Sequence, residues 1–290
     1  MSGLKELRTR IGSIKTTRQV TSAMKMVSAA KLKRAQDNVI HFRPYARYFG
    51  EILESVISGM VSPEEVVYTT PRTPEKILVV LISSNRGLCG GFNSSITNKA
   101  LEIVNSEYKS QLLNKNIHFL ALGKQGERLL KSHKMNVVEN KNDLFDVLTF
   151  ENASALADEL IDKFRRREYD RIELIYNEFL NAAQYEQRRE FFLPVPVSDN
   201  GPVTGDIIFE PSKSEVIEEM IPQALKILLY KVLIFSFAAE HGARMTAMHQ
   251  ATDNATELLG ELSLQYNKAR QAAITNEIME ITGGAEALRK

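Results

Sequence analysis

The sequence predicts an α/β protein built as a long antiparallel coiled coil of its N- and C-terminal helices, plus an inserted α/β domain with a mainly parallel sheet. Three observations predict it. From Met245 to Ala273, apolar or small residues recur at alternating steps of three and four through Met248, Thr252, Ala255, Leu259, Leu262, Tyr266 and Ala269, which is heptad spacing. Leu4, Leu7, Ile11 and Ile14 repeat that spacing at the other end. Between the two, β-branched runs alternate with helical patterns, as in an open α/β sheet. The expected division is a discontinuous shaft of residues 1–58 and 212–290, a connector at 59–75 and a globular domain at 76–210.

The first segment is helical. Its seam is expected to slip after Ile14 to Val20, Met24 and Val27, and Pro44 is expected to kink or restart the helix. Gly59, Pro63, Pro71 and Pro74 mark the connector. The run Lys76-Ile-Leu-Val-Val-Leu-Ile-Ser84 reads as a buried parallel strand. A helical pattern follows through Ile96, Leu101, Ile103, Val104 and Tyr108. Residues 118–122 and 136–138 read as strands around a helix near 124–131, and 151–168 reads as a helix. Arg171 to Tyr176 alternates as a strand, with Gln184 to Val195 pairing beside it. This order is that of a Rossmann-like domain. The last helix starts near Ser212, and Pro222 is expected to interrupt it. From there to Leu288 it would run roughly 100 Å, against about 40 Å for the width of such a domain. The helix is therefore expected to project and to pack seam to seam on the first. Asp253, Glu257, Glu261 and Lys268 fall on its opposite face.

The 290 residues carry a net charge of only +1, unevenly placed. The first 50 hold eleven Lys and Arg against two acids, a net +9, which leaves −8 for the other 240. A basic arm of this kind wants an acidic partner. Cys89 is the single cysteine, so no internal disulfide or cysteine-rich zinc site is possible and a reducing compartment is expected. The opening MSGLKELRTRIG is already amphipathic, unlike a signal peptide. The longest apolar run, Leu225 to Phe237, has 13 residues and includes Lys226 and Lys231. It is too short to cross a bilayer and reads as a helix buried on most sides, with no direct membrane insertion.

The loop Asn85-Arg-Gly-Leu-Cys-Gly-Gly-Phe-Asn93 follows a strand and opens a helix, as a phosphate loop would. It matches neither GxxxxGK[ST] nor GxGxxG. Gly87, Gly90 and Gly91 are therefore read as a structural turn, with Asn93 as the helix N-cap. His241 and His249, eight apart, are too far separated for one metal and read as surface residues or partner contacts. GxSxG and HExxH are absent. No catalytic, cofactor-binding or metal-ligating residues, and no cofactor, are expected. Two alternatives stand beside a mechanical role: a nucleotide-dependent enzyme using the 84–93 loop, and a nucleic-acid-binding coiled coil using the basic helix 24–34. That helix lacks interleaved aromatics, and no nucleic-acid partner is expected.

Three blocks resemble the gamma subunit of the F-type ATP synthase: residues 24–36 (MKMVSAAKLKRAQ), 84–93 (SNRGLCGGFN), and 240–285 with its segments EHGARMTAM, ATDNA, YNKARQA and ITNEIMEITGGA. Their order and spacing span nearly the whole chain. The family usually has Asp where this chain has Asn85, and commonly Ala where it has Gly242. The long cysteine-bearing insertion of chloroplast relatives is absent, and the start resembles bacterial members.

The resemblance implies a non-catalytic subunit of an enzyme complex, the central stalk of a proton- or sodium-driven rotary motor. Its helices would enter a ring of α and β subunits, and its globular end would sit on the membrane c-ring beside the epsilon subunit. The implied place is the cytoplasmic face of the bacterial plasma membrane, held peripherally. It implies β-subunit contacts at Met24 and Lys25, and at Arg270 and Gln271, where an arginine fork meets carboxylates or carbonyls.

Overall fold

Strand β1 (Ile77–Ile82) is buried at all six positions, because it lies at the centre of the sheet and has no solvent face for a polar residue to occupy. In the computed structural model, residues 2–58, 68–70, 72–196 and 213–287 are described. Residues 59–67 and 71 of the expected connector, 197–210 of the expected α/β domain, and 1, 212 and 288–290 of the expected shaft lie outside the described residues, and with them Gly59, Pro63 and Pro71.

Helix α1 (Ser2–Ser58) precedes β1. There follow α2 (Phe92–Glu107), α3 (Lys109–Leu113), β2 (Ile117–Leu122), α4 (Lys124–Ser132), β3 (Val137–Asn140), a 3-10 turn at Asn142–Phe145, α5 (Phe150–Arg165), β4 (Arg171–Asn181), β5 (Gln184–Leu193) and α6 (Lys213–Ala287). The sheet order is β3-β2-β1-β4-β5. The β1–β2, β1–β4 and β2–β3 pairs are parallel and β4–β5 is antiparallel. The fold is thus a coiled-coil-like pair of long terminal helices plus an inserted α/β domain with a mixed sheet.

Two compact units divide the chain, Met1–Ser28 with Met245–Lys290, and Ala29–Arg244. In the first, the α6 seam from Met245 to Ala273 is buried or half-buried at all nine heptad positions, while Asp253, Glu257, Glu261 and Lys268 are exposed. The α1 seam does not slip. It continues in register from Ile14 through Arg18, Thr21, Lys25 and Ser28, all buried or half-buried, while Val20 and Val27 are 52% and 58% exposed. Small and polar groups occupy seam positions here, so the apolar side chains no longer report the buried face. Thr21 and Thr252 share a hydrogen bond of 2.9 Å, and Arg18, Gln19 and Ser22 line a cavity with Thr252 and Thr256. Thr21 meets Thr252 and Phe42 meets Tyr230, so rising numbers on α1 meet falling numbers on α6 and the pair is antiparallel.

In the second unit the α1 seam runs on through Leu32, Ala35, Val39, Phe42, Ala46 and Phe49, none of them exposed. Neither proline ends its helix: Pro44 lies inside α1 and Pro222 inside α6. Each removes one backbone donor, and the packing alongside offsets that loss. Val39 and Ile221 are buried, and the Phe42 ring meets Tyr230 edge-on at 4.9 Å. Leu225, Ile227, Leu229, Val232, Leu233, Ile234 and Phe235 are all buried. By length and composition alone α6 could cross a membrane, yet its apolar stretch is spent on this core. Helix α5 starts at Thr149, whose hydroxyl accepts from Asn152 N at 3.3 Å, an N-cap. It buries Ala153, Leu156, Ala157, Leu160, Ile161 and Phe164, the face a 3.6-residue period selects. At the antiparallel edge, Glu173 is fully buried. Arg189 of β5 grips both its carboxylate oxygens at 2.8 and 2.9 Å, and Tyr108 donates to it from the end of α2.

Candidate functional site: the helix pair and the glycine loop

The loop after β1 is held from both ends by its own side chains. Ser84 N donates to Asn93 Oδ1 at 2.9 Å, and Asn93 Nδ2 reaches the Cys89 sulfur at 3.2 Å. Asn93 is therefore not the N-cap. Gly91 occupies that position without a side-chain bond, and Asn93 lies buried at the second helical position, tying strand end to helix start. Gly90 takes φ 60° and Leu88 φ 61°. The first is free for glycine, and the second is strained for leucine. A Cβ on Gly87 would meet nothing within 4 Å, and one on Gly91 only Ser94 Oγ at 4.0 Å. Burial pushes the Cys89 thiol above its ordinary pKa, against the pull of its hydrogen bond with Ser84 and of Arg244.

Asn85 uses both ends of its amide. It donates to the Asn142 carbonyl at 2.8 Å and accepts from Lys124 N at 3.1 Å. A carboxylate could do only the second.

The loop presents carbonyls, not amides, to its charged neighbour. Arg244 of α6 donates to Arg86 O at 2.9 Å and Gly87 O at 3.4 Å, and pairs with Glu240 at 2.6 Å. Glu240, His241 and Arg244 are all buried. Burial raises the Glu240 pKa although Arg244 pulls it down. His241 is not a surface residue. Its ring sits edge-on to Phe237 at 4.5 Å, and burial, reinforced by Arg244 and Lys31, lowers its pKa to about 3. His249 is exposed and pairs with Asp253 at 3.0 Å. One residue on from His241, Gly242 admits the β4–β5 turn: a Cβ there would lie 2.9 Å from Ala182 O. Among the described residues, no three His, Cys, Asp or Glu side chains are grouped to hold a metal ion.

Met24 and Lys25 are half-buried on α1, and Arg270 and Gln271 are exposed on α6. No residue of the first pair is joined to the second by a hydrogen bond or ion pair among the described residues. In the antiparallel register set by Thr21 and Thr252, the start of α1 falls opposite residues near 271. Helix α6 continues to Ala287, about 24 Å further at 1.5 Å per residue. Every described side chain from Ile274 to Ala285 is exposed, including Ile274, Ile278, Met279 and Ile281. The Thr21–Thr252 bond and the Arg244 clamp were not anticipated from the sequence. Thr252 lies in the α6 seam, but nothing local marks Arg244.

A family profile described as ATP synthase matches residues 3–288. The ATP synthase gamma chain of Flavobacterium psychrophilum is 53% identical over 291 residues, covering 100% of each chain. That of Geotalea uraniireducens is 42% identical over 292 residues, again covering both chains fully. Among solved structures, a chain of the Tetrahymena thermophila mitochondrial ATP synthase central stalk/c-ring is 25% identical with TM-score 0.61, covering 80% of this chain and 99% of that one. A chain of the Euglena gracilis mitochondrial enzyme is 20% identical with TM-score 0.73, covering 99% and 95%, and speaks for the fold. Long terminal helices around an inserted α/β domain are the plan of a rotary stalk. The chain belongs to the ATP synthase gamma-chain family, the central rotary stalk subunits, and is bacterial-like.

Proposed function

We propose that this chain, as the central stalk, couples rotation of a c-ring to conformational cycling of a catalytic head of α and β subunits. Residues 1–58 and 212–290 form the axle in this reading, 76–210 the globular end and 59–75 its connector. The observation that carries it is the seam of the first unit: paired through Ala273, then a bare helix end with exposed isoleucines. A seam of that kind resists bending, because two helices share the load. Alongside Ile274, Ile278, Met279 and Ile281 the tip carries short residues, Thr275, Thr282, Gly283 and Gly284, which offer a surrounding sleeve little to lock onto in one orientation.

Met24 and Lys25 are the contacts proposed for an acidic β segment, since charge acts over a longer range than packing and pushes without interdigitating. Arg270 and Gln271 are exposed, which suits them to catching β-subunit loops. Gly87, Gly90 and Gly91 serve as the turn that presents carbonyls to Arg244. The globular end sits on the c-ring beside an epsilon subunit, at the cytoplasmic face of a bacterial plasma membrane, without entering the bilayer.

The test is a reversible lock. In an assembled complex, Gln271→Cys is joined by a disulfide to a cysteine placed in a β-subunit loop. ATP turnover stops in the oxidised complex and returns on reduction, with the buried Cys89 as a bystander. A cross-linked complex that keeps full turnover would refute rotation of this helix against β.

A further inference from the structure

We propose that a basin at the amino-terminal rim of the sheet seats the headgroup of an anionic bilayer lipid, so that the α/β unit meets an acidic membrane surface. The basin, about 450 Å³, is lined by Leu112, Lys115, Ile117, Lys134, Met135 and Asn136. Parallel strands gather their incoming turns on one rim. Ile77 N donates to Asn116 O at 3.0 Å and Phe119 N to Asn136 O at 2.8 Å, which seats the two lysine-bearing turns side by side.

The floor is apolar. Ile117 belongs to the core, and Leu112 and Met135 pack against it. The rim is cationic. Lys115 and Lys134 are exposed, and neither has an ion-pair partner among the described residues. Both hold φ 59°, a left-handed conformation after a helix where glycine is the usual occupant. The chain thus keeps a cation at each turn despite the backbone cost.

What favours a lipid over an acidic protein segment is Leu113. It is 76% exposed, the most exposed large hydrophobic side chain among the described residues, and it stands on α3 between Lys109 and Lys115. An acidic peptide needs only the cations. A bilayer interface takes an aliphatic side chain flanked by lysines: the apolar group rests in the headgroup layer, short of the hydrocarbon core, while the ammonium groups stay at the phosphates.

Flotation of the full chain with vesicles tests this without reference to ATP turnover, so its failure leaves the coupling reading untouched. The chain should float with phosphatidylcholine vesicles containing phosphatidylglycerol, not with phosphatidylcholine alone, and should be released by salt. Lys115→Gln and Lys134→Gln should each weaken binding about fivefold, and Leu113→Ser should weaken it at unchanged charge. The charge-matched pair Lys5→Gln and Lys15→Gln, on exposed α1 positions, should leave most binding intact. Equal loss in that control, equal flotation with neutral vesicles, or no effect of Leu113→Ser would overturn the proposal. So would displacement by inorganic phosphate at matched ionic strength, which would assign the basin to the free ion, or retention by an acidic peptide in place of vesicles.

Discussion

Arg244 Nη2 donates to the carbonyl of Arg86 at 2.9 Å although the two residues lie 158 apart in sequence. One guanidinium joins the long C-terminal helix to the loop that ends β1, and it also neutralises the buried carboxylate of Glu240. Replacing it by alanine strands that carboxylate away from water. Arg244→Ala should cost about 3 kcal/mol in urea unfolding of the chain. Glu240→Gln in the same background should recover much of the loss. If the double variant is no more stable than the single one, the stranded charge is not the cause.

Two glycines of α6 should respond oppositely to the same change. A Cβ at Gly260 meets nothing within 4 Å, whereas one at Gly242 meets the backbone oxygen of Ala182 at 2.9 Å. Gly260→Ala should stabilise by about 0.8 kcal/mol through helix propensity alone. Gly242→Ala should lose that gain and about 1 kcal/mol more by forcing the β4–β5 turn away. Thermal unfolding of the two variants side by side decides it.

The Thr21–Thr252 bond is a polar link between the two helices of the coiled coil. Thr21→Val and Thr252→Val should each cost about 1 kcal/mol. The double variant should cost less than their sum, because each single change already removes the one inter-helix bond, and the hydroxyl that remains keeps its own-helix carbonyl, Arg18 O at 3.1 Å or Met248 O at 2.7 Å. Strict additivity in a double-mutant cycle would show that the pair is not coupled.

His241 should make stability fall in acid. Its folded pKa is held near 3, below the ordinary 6.5, so between those values the unfolded chain binds a proton that the folded chain refuses. Stability is then complete above about 6.5 and declines as pH drops towards 3, by up to about 1.4 kcal/mol per pH unit. Glu240, whose raised pKa favours its protonated form in the folded chain, acts in the opposite sense above its unfolded value. The difference between wild type and His241→Gln across this window isolates the histidine. Parallel curves would rule out its contribution.

Arg270 has no ion-pair partner among the described residues and is exposed, so Arg270→Ala should leave the melting curve of the isolated chain unchanged while lowering coupled ATP synthesis in the assembled complex. Met24→Lys adds like charge beside Lys25 and should reduce protons pumped per ATP hydrolysed. Wild-type coupling in both variants would remove these positions from the contact with β.

The sequence made β1, β2 and the α6 seam legible because burial and side-chain chemistry agree there. Ile77 to Ile82 is apolar on both faces, and Met245 to Ala273 keeps one buried stripe. The α1 seam became illegible where they disagree. Val20 and Val27 look like core and face water, while Thr21 and Ser28 look like surface and are buried. Pro44 and Pro222 signal a break that neighbouring packing overrides. The Arg244 clamp and the burial of His241 come from contacts distant in sequence, so no local spacing could announce them. At the proposed β-subunit contacts, the residue pattern supplied the position, and the structure adds only that Arg270 and Gln271 are exposed while Met24 and Lys25 are half-buried.

The unpaired end of α6 has a thermal consequence. A helix of roughly this excess length is marginal in water when it must start itself. Here nucleation is already met by the paired turns before Ala273, so the extension persists only by propagation. Gly283 and Gly284 weaken that propagation by about 1 kcal/mol each relative to alanine. Amide protons should therefore exchange progressively faster towards Ala287, and the last turns can melt and reform while the Thr21–Thr252 layer holds its alignment.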